Sequence, residues 1–259
     1  MFWVVVFVAG LALALSAYVL ALRIKLYAVV DMVWTGGLGL AAIAYYFSQS
    51  PDTIRSVVVV GILVFWSGRL SLHILKDRVI PGIEDRRYAA LAEHWGDTAR
   101  QKFIFVFLGQ VPLILLFSYA ASMAMRNPVD EWRWLDSIGT LIAILALAGE
   151  YLADHQLSSF RANPENKGKV CRIGLWRYSR HPNYFFEWLH WFAYVAFALG
   201  SSNWWLALLG PVMMYVFLRY LTGIPFAERS SLKSRGDAYR DYQKTTNAFF
   251  PWIPQQDRT

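Results

Sequence analysis

The chain is predicted to be all-α: a polytopic bundle of seven transmembrane helices with its N-terminus outside and its C-terminus in the cytosol. Three observations carry that expectation. Apolar residues make up 56% of the 259 positions, with 12 Trp, 14 Tyr and 17 Phe, above the about 45–50% usual in soluble domains. They fall into seven long stretches separated by short polar connections. Lys and Arg collect in alternate connections, as the positive-inside rule requires.

A helix needs about 20 mainly apolar residues to cross a hydrocarbon core of about 30 Å. The expected spans are Phe2–Leu22, Leu26–Phe47, Ile54–Leu75, Phe103–Met125, Leu135–Leu157, Tyr184–Leu199 and Trp204–Ile224. The first starts without the basic region of a cleavable signal peptide, so it reads as a span. Gly36, Gly37, Gly39, Gly109, Pro112, Gly210 and Pro211 lie inside spans, where neighbouring helices can satisfy freed backbone groups. No repeat, low-complexity run or linker interrupts the chain, so residues 1–259 read as one membrane domain.

Orientation follows from the connections. Arg23 and Lys25 follow span one; Lys76, Arg78, Arg86, Arg87, Arg100 and Lys102 follow span three. Arg161, Lys167, Lys169, Arg172, Arg177 and Arg180 follow span five, and Arg229 through Arg258 follow span seven. The opposite connections hold only Arg55, Arg126 and Arg133. The net charge of +7 is thus a matter of topology, and nucleic acid is a poor partner for basic residues split among loops beside lipid. Trp132, Trp134, Trp204, Trp205 and Trp252 read as an aromatic belt at the headgroup level.

Ionisable residues within spans are costly and usually face a bundle interior or a wet cavity. Asp31, Arg69, Glu150, Asp154, Glu187, His190 and Arg219 all fall in the half of their spans expected to face the cytosol. Glu150 and Asp154 share a helix face, as do Asn183, Glu187 and His190. The structural alternative pairs these groups with Arg69 and Arg219 as buried ion pairs. Glu187-x-x-His190 has the spacing of a di-iron bundle, but no second copy exists. With one cysteine and no His-x3-His pair, no metal site is expected.

The densest polar segment is Gly174-Leu-Trp-Arg-Tyr-Ser-Arg-His-Pro-Asn-Tyr-Phe-Phe-Glu187. Together with Arg161 and Lys169 it offers Arg forks and a Lys point charge to an anion, with Tyr178 and Tyr184 as stacking faces. Pro182 suits the first position of a helix, whose N-terminus would favour an anion in the same space. This chemistry fits a phosphate-bearing ligand with an aromatic ring. No Gly-x-Gly-x-x-Gly follows a strand, so a Rossmann host is excluded.

These residues resemble the steroid 5-alpha-reductase superfamily, in particular its bacterial steroid-reductase-like membrane branch. The likeness rests on the Gly174 to Tyr184 string with Glu187 beyond it, and on Asp154 and Arg161 upstream. It also rests on Glu84-Asp-Arg-Arg-Tyr88, on Tyr239-Arg-Asp-Tyr242 and on Phe250-Pro-Trp252. The resemblance implies a seven-helix bundle whose first half, residues 1–130, faces the substrate and whose second half, 131–259, binds NADPH. It implies hydride transfer to a carbon–carbon double bond of a lipophilic substrate: steroid-like, isoprenoid or fatty-acyl. Asp154, Arg161, Lys169, Tyr178, Asn183 and Glu187 would contact the cofactor, with Arg180, His181 and Tyr184 lining its pocket. Asp31 is the expected catalytic group, with Tyr88 next.

Three positions depart from the family pattern: Trp66 stands where a tyrosine is expected, Glu150 where an asparagine is, and no histidine lies near Ala227 and Glu228. A second reading is an S-adenosylmethionine-dependent methyltransferase of the isoprenylcysteine or phospholipid type, which shares an Arg-His-Pro-x-Tyr loop. Glu228-Arg229 before Tyr239 echoes it. A transporter or scaffold is the weakest reading, since the outer half offers almost no polar residues. The expected partners are membrane lipid and a lipophilic small molecule, with no obligate protein partner, in a bacterial inner membrane.

Overall fold

The computed structural model describes residues 1–49 and 52–255; Arg258, counted above with the basic tail, lies outside them. Among the described residues the chain is helical, with no strand. The elements are α1 (Phe2–Ile24), α2 (Val29–Gln49), α3 (Ile54–Ile74), α4 (Arg86–Trp95), α5 (Ala99–Met125), α6 (Trp134–Ala162), α7 (Pro182–Ala198), α8 (Leu209–Val216), α9 (Ile224–Arg235) and α10 (Asp237–Thr245). Among the described residues six segments are long and apolar enough to cross a membrane: Phe2–Ile24, Val29–Gln49, Ile54–Val79, Arg86–Met125, Trp134–Ala162 and Trp204–Arg235. This is a membrane protein.

The expected sixth span is α7, whose 17 residues extend about 25 Å at 1.5 Å per residue, short of a full crossing. The expected seventh is not one continuous α-helix. It opens with a 3₁₀ turn at Trp204–Leu208, continues as α8, and widens into a π turn at Phe217–Leu221 before the chain breaks at Thr222–Gly223. α3 likewise ends in a π turn, Leu75–Val79.

The chain divides into two compact units, one of Met1–Asp136 with Tyr194–Gly210 and the other of Ser137–Ala193 with the chain from Pro211 onward. In the first, α1, α2, α3 and α5 pack together. α1 is apolar on every side, and Val4, Val5, Val8, Val19 and Leu20 are exposed, the pattern of a helix solvated by lipid. It ends at Lys25 in the left-handed conformation (φ 57°), and the Leu26 N–H closes back on the Ala21 carbonyl at 2.9 Å. α2 and α3 cross closely because Gly39 lacks a Cβ, which would run into Ser67. The Ser67 hydroxyl donates to the Thr35 carbonyl at 2.5 Å, and the Thr35 and Ser71 hydroxyls meet at 2.7 Å.

An ion cluster that the loop charges did not announce lies in this unit. Arg55, only 1% exposed, meets Asp136, fully buried, through two nitrogens at 2.8 and 2.9 Å. Its guanidinium also donates to the Val129 carbonyl and, at 2.8 Å, to that of Glu131. Arg133 adds a contact to Asp136 at 3.0 Å, and Asn127 donates to the Phe197 carbonyl at 2.8 Å. Sequence reading counted Arg55 and Arg133 as loop charges. They are the clasp of the segment between α5 and α6.

In the second unit α6 and α7 touch where Gly149 meets Phe186. A Cβ at position 149 would overlap the base of that ring. Gly149→Ala is expected to cost about 1–3 kcal/mol by overpacking, outweighing the about 1 kcal/mol of helix propensity that alanine gains. A lower melting temperature of the purified variant in detergent checks this, and an unchanged one refutes the close approach.

Candidate functional site

The two groups of sequence-predicted residues lie one in each unit. In the first unit, α2 carries Asp31 in its first turn and α4 carries Tyr88 in its own. Local chemistry sets their register. Glu84 lies just ahead of α4 and accepts hydrogen bonds from the N–H groups of Tyr27 (2.5 Å), Ala28 (2.8 Å) and Asp85 (2.9 Å). Its carboxylate thus meets the N–H groups leading into α2, where negative charge is favoured. Asp85 caps α4, accepting from the Arg87 N–H at 2.8 Å.

With both helix starts fixed by neighbouring acids, Tyr88 and Asp31 come together. The Tyr88 hydroxyl donates to Asp31 Oδ1 at 2.6 Å, and Arg87 donates to Asp31 Oδ2 at 2.7 Å. Arg87 also reaches Asp85 at 2.9 Å and lies over the Tyr88 ring. Burial raises the Asp85 carboxyl, but the hydrogen bonds and charge of Arg87, with Arg78 beyond, outweigh it and hold the group below the usual aspartate range. The partner of Asp31 is therefore Arg87, neither Arg69 nor Arg219. What the sequence had not linked is the direct bond between its first and second catalytic candidates.

In the second unit the Gly174–Glu187 string runs from a 3₁₀ turn, Gly174–Arg177, into α7 with Pro182 at its first position. Gly174 has φ 53°, and a side chain there would strike Gln156, whose Oε1 accepts from the Leu175 N–H at 2.9 Å. The Trp176 indole donates to the Ala153 carbonyl at 2.9 Å, and Asn183 Nδ2 donates to Asp154 Oδ1 at 3.1 Å. The loop and the start of α7 are thus fastened to the last turns of α6. The Asn183 Oδ1 atom is buried without a hydrogen-bond partner, and such an atom is costly unless a ligand completes it.

The other face of the loop is held by α9, α10 and the chain beyond. Arg235 donates to the Lys169 carbonyl at 2.9 Å and Arg172 to that of Ala238 at 3.0 Å. The Tyr242 hydroxyl bonds the Trp176 carbonyl. Arg180 is buried with its guanidinium directed at its own chain. Nε and Nη2 meet Glu228 Oε1 at 2.7 and 2.6 Å, while Nη1 donates to the carbonyls of Gln243, at 3.1 Å, and Thr246. His181 Nε2 lies 3.5 Å from the same Glu228 oxygen, and Gln243 donates to the other at 2.9 Å. Burial pushes the His181 imidazole below the ordinary histidine range, against the pull of Glu228. Its ring stacks on Tyr184 at 5.4 Å between centroids.

Of the nine residues expected to hold a cofactor, Arg161, Lys169 and Tyr178 present exposed side chains, while Asp154, Asn183, Tyr184 and Glu187 are half-buried on α6 and α7. Arg180 ties the loop to Glu228, and His181 Nε2 lies 3.5 Å from the same carboxylate. The signal for that role was present in the sequence as Glu228-Arg229, where it read only as an echo of a methyltransferase motif.

Comparison with the curated proteins finds no match, nor does comparison with the solved structures. Residues 17–246 match the family described as protein of unknown function (DUF1295), and the chain belongs to that family.

Proposed function

We propose that the protein is an NADPH-dependent reductase of an activated carbon–carbon double bond in a lipophilic, membrane-dissolved substrate, as its likeness to steroid 5-alpha-reductases implies. The observation that carries the reading is the Arg-His-Pro loop, braced from one side by α6 and from the other by α9 and α10, with Asn183 bonded to Asp154 at its exit. The donor set fits a dinucleotide. Arg161, Lys169 and Arg177 are exposed cations for phosphates, Tyr178 offers a ring face, and the buried Asn183 Oδ1 is an acceptor awaiting a donor. When bound, NADPH would supply the hydride.

The chain's own part is to bind, orient and hold a proton. Asp154 fixes the Asn183 amide, and Arg180 fixes the loop that carries Tyr178. Tyr88 holds a proton at Oη, aligned by Asp31, whose charge Arg87 balances. To polarise a carbonyl or return a proton after hydride transfer, the phenol would turn its one O–H from Asp31 to the substrate and would be left as phenolate until reprotonated. In this reading residues 1–130 hold the substrate and 131–259 the cofactor.

Thermal shift of the detergent-purified protein with NADPH, NADH and S-adenosylmethionine tests the proposal. NADPH is expected to stabilise most. A 2′-phosphate contact worth about 1.5–3 kcal/mol gives a preference over NADH of about tenfold or more. Arg161→Ala or Lys169→Ala should narrow it, and Asn183→Ala or Glu187→Ala should abolish binding while the free protein stays folded. Equal response to NADPH and NADH sinks the phosphate argument. Stabilisation by S-adenosylmethionine alone would make the protein a methyltransferase.

The proposed topology is seven spans, α7 among them, with the C-terminus in the cytosol of a bacterial cell and the chain in the inner membrane. The loop charges support it. Reporter fusions after Trp134 and at the carboxy end should report opposite sides. The same side for both would overturn the span count.

A further inference from the structure

The segment after α10, Asn247 to Gln255, forms an irregular strap that carries no charged residue. Its first aromatics turn inward. Phe249 and Phe250 pack against Trp188 in α7 at 5.6 Å, and Phe249 lies 5.2 Å from Tyr215 in α8. Trp188 sits in the second turn of α7, and Tyr215 belongs to a segment long and apolar enough to cross a membrane. The strap therefore runs beside the ends of apolar helices.

Beyond them the large side chains point outward: Ile253 is 76% exposed and Trp252 69%, while Phe250 packs on Trp188 with about half of its surface still exposed. Its backbone is tied at two points to the chain behind it. Pro251 and Pro254 have no N–H to satisfy. The Trp252 N–H donates to the Tyr178 carbonyl at 2.9 Å and the Gln255 N–H to that of Thr245 at 2.8 Å. Outward apolar side chains on an uncharged segment suit the boundary between headgroups and acyl chains, where tryptophan is favoured.

We infer that the strap Phe249–Pro254 is an interfacial anchor that lies in the phospholipid headgroup layer and ties the Tyr178–His181 loop to the bilayer surface. The tie is direct. Besides the Trp252–Tyr178 bond, the Ser179 hydroxyl donates to the Phe249 carbonyl at 2.9 Å, and the Arg180 N–H donates to that of Asn247 at 2.8 Å. Lipid contact at Trp252 and Ile253 is thereby transmitted to the loop within one or two hydrogen bonds. The inference needs only a membrane-embedded chain and stands apart from the reductase reading.

The test uses the full-length Ile253→Cys variant labelled with bimane, in vesicles of phosphatidylcholine and phosphatidylglycerol. Buried Cys171 stays in place, and wild-type protein provides the labelling blank. Lipids brominated near the headgroup end of their chains are expected to quench the label several-fold more than aqueous iodide does. Dominant quenching by iodide puts the strap in water and overturns the anchor. Protection from both means that protein covers it, a second copy or another partner, and overturns it equally. A second arm reads the tie: Trp252→Asp in the same vesicles should speed tryptic cleavage after Arg177 several-fold, and Trp252→Tyr should not. Unchanged cleavage in Trp252→Asp refutes the coupling.

Discussion

Arg180→Ala is expected to destabilise the protein by about 3–5 kcal/mol, the cost of removing one partner of a buried ion pair. Glu228 would keep its charge, most of its burial and only the Gln243 amide and His181 as neighbours. The carbonyls of Gln243 and Thr246 would also lose a charged donor. Arg180→Lys should recover only part of the loss, because a point charge cannot reach Glu228 and two carbonyls at once as a planar fork does. The decisive variant is the double one. Adding Glu228→Gln to Arg180→Ala removes the stranded charge, so the double variant should melt above Arg180→Ala alone. Equal melting of wild type and Arg180→Ala would return Arg180 to the role of an uncommitted phosphate partner.

The contact between Arg180 and Glu228 shows where sequence reading stops. The Arg-His-Pro string was legible as a polar cluster at the mouth of a helix, and α7 does begin at Pro182. α6 and α7 were legible as helices too: α6 runs Trp134–Ala162 against the expected Leu135–Leu157, and α7 Pro182–Ala198 against Tyr184–Leu199. Which of its basic residues remain exposed was not legible. Arg161, Lys169, Arg177 and Arg180 look alike in the sequence, and only tertiary contact with α9 and α10 separates Arg180 from the rest. Glu228 lies 48 residues downstream of its partner, beyond any periodicity argument. Arg55 and Asp136 are hidden for the same reason at 81 residues apart.

The first unit repeats the lesson with a different physical cause. Asp31 was visible as an ionisable group early in a span, and Tyr88 as part of Glu84-Asp-Arg-Arg-Tyr88. Their meeting depends on Glu84 closing on the amides of Tyr27 and Ala28. A carboxylate bonding N–H groups 56 and 57 residues away leaves no local signature, since capping is recognisable in sequence only when the cap adjoins its own helix. The alternative role for Asp31, pairing with an arginine, named Arg69 or Arg219, and the structure pairs it with Arg87. The arginine came from the same five-residue segment as the tyrosine.

Under the proposed reductase activity, loss of the Tyr88 hydroxyl is expected to lower turnover by about 10²–10⁴-fold, the usual contribution of a positioned acid or base, with NADPH affinity unchanged. Asp31→Asn should match it. The Tyr88 phenol is aligned by one short bond, to Asp31 Oδ1 at 2.6 Å, and the charge that makes Asp31 a strong acceptor is balanced by Arg87 at 2.7 Å. Asparagine keeps the shape but halves the acceptor set and turns a donor toward Arg87 or the phenol. Folding should suffer little in either case. Tyr88→Phe retains the ring packed beside Phe103, and in Asp31→Asn the Arg87 guanidinium keeps Asp85 at 2.9 Å. Turnover is measured as NADPH oxidation driven by a native lipid extract, alongside NADPH affinity and melting temperature on the same samples. A structural dyad would show the reverse: normal turnover per folded molecule with a lowered melting temperature. If Tyr88→Phe oxidises NADPH at the wild-type rate, the proton comes from elsewhere, and the bond between Tyr88 and Asp31 serves only to hold α4 against α2.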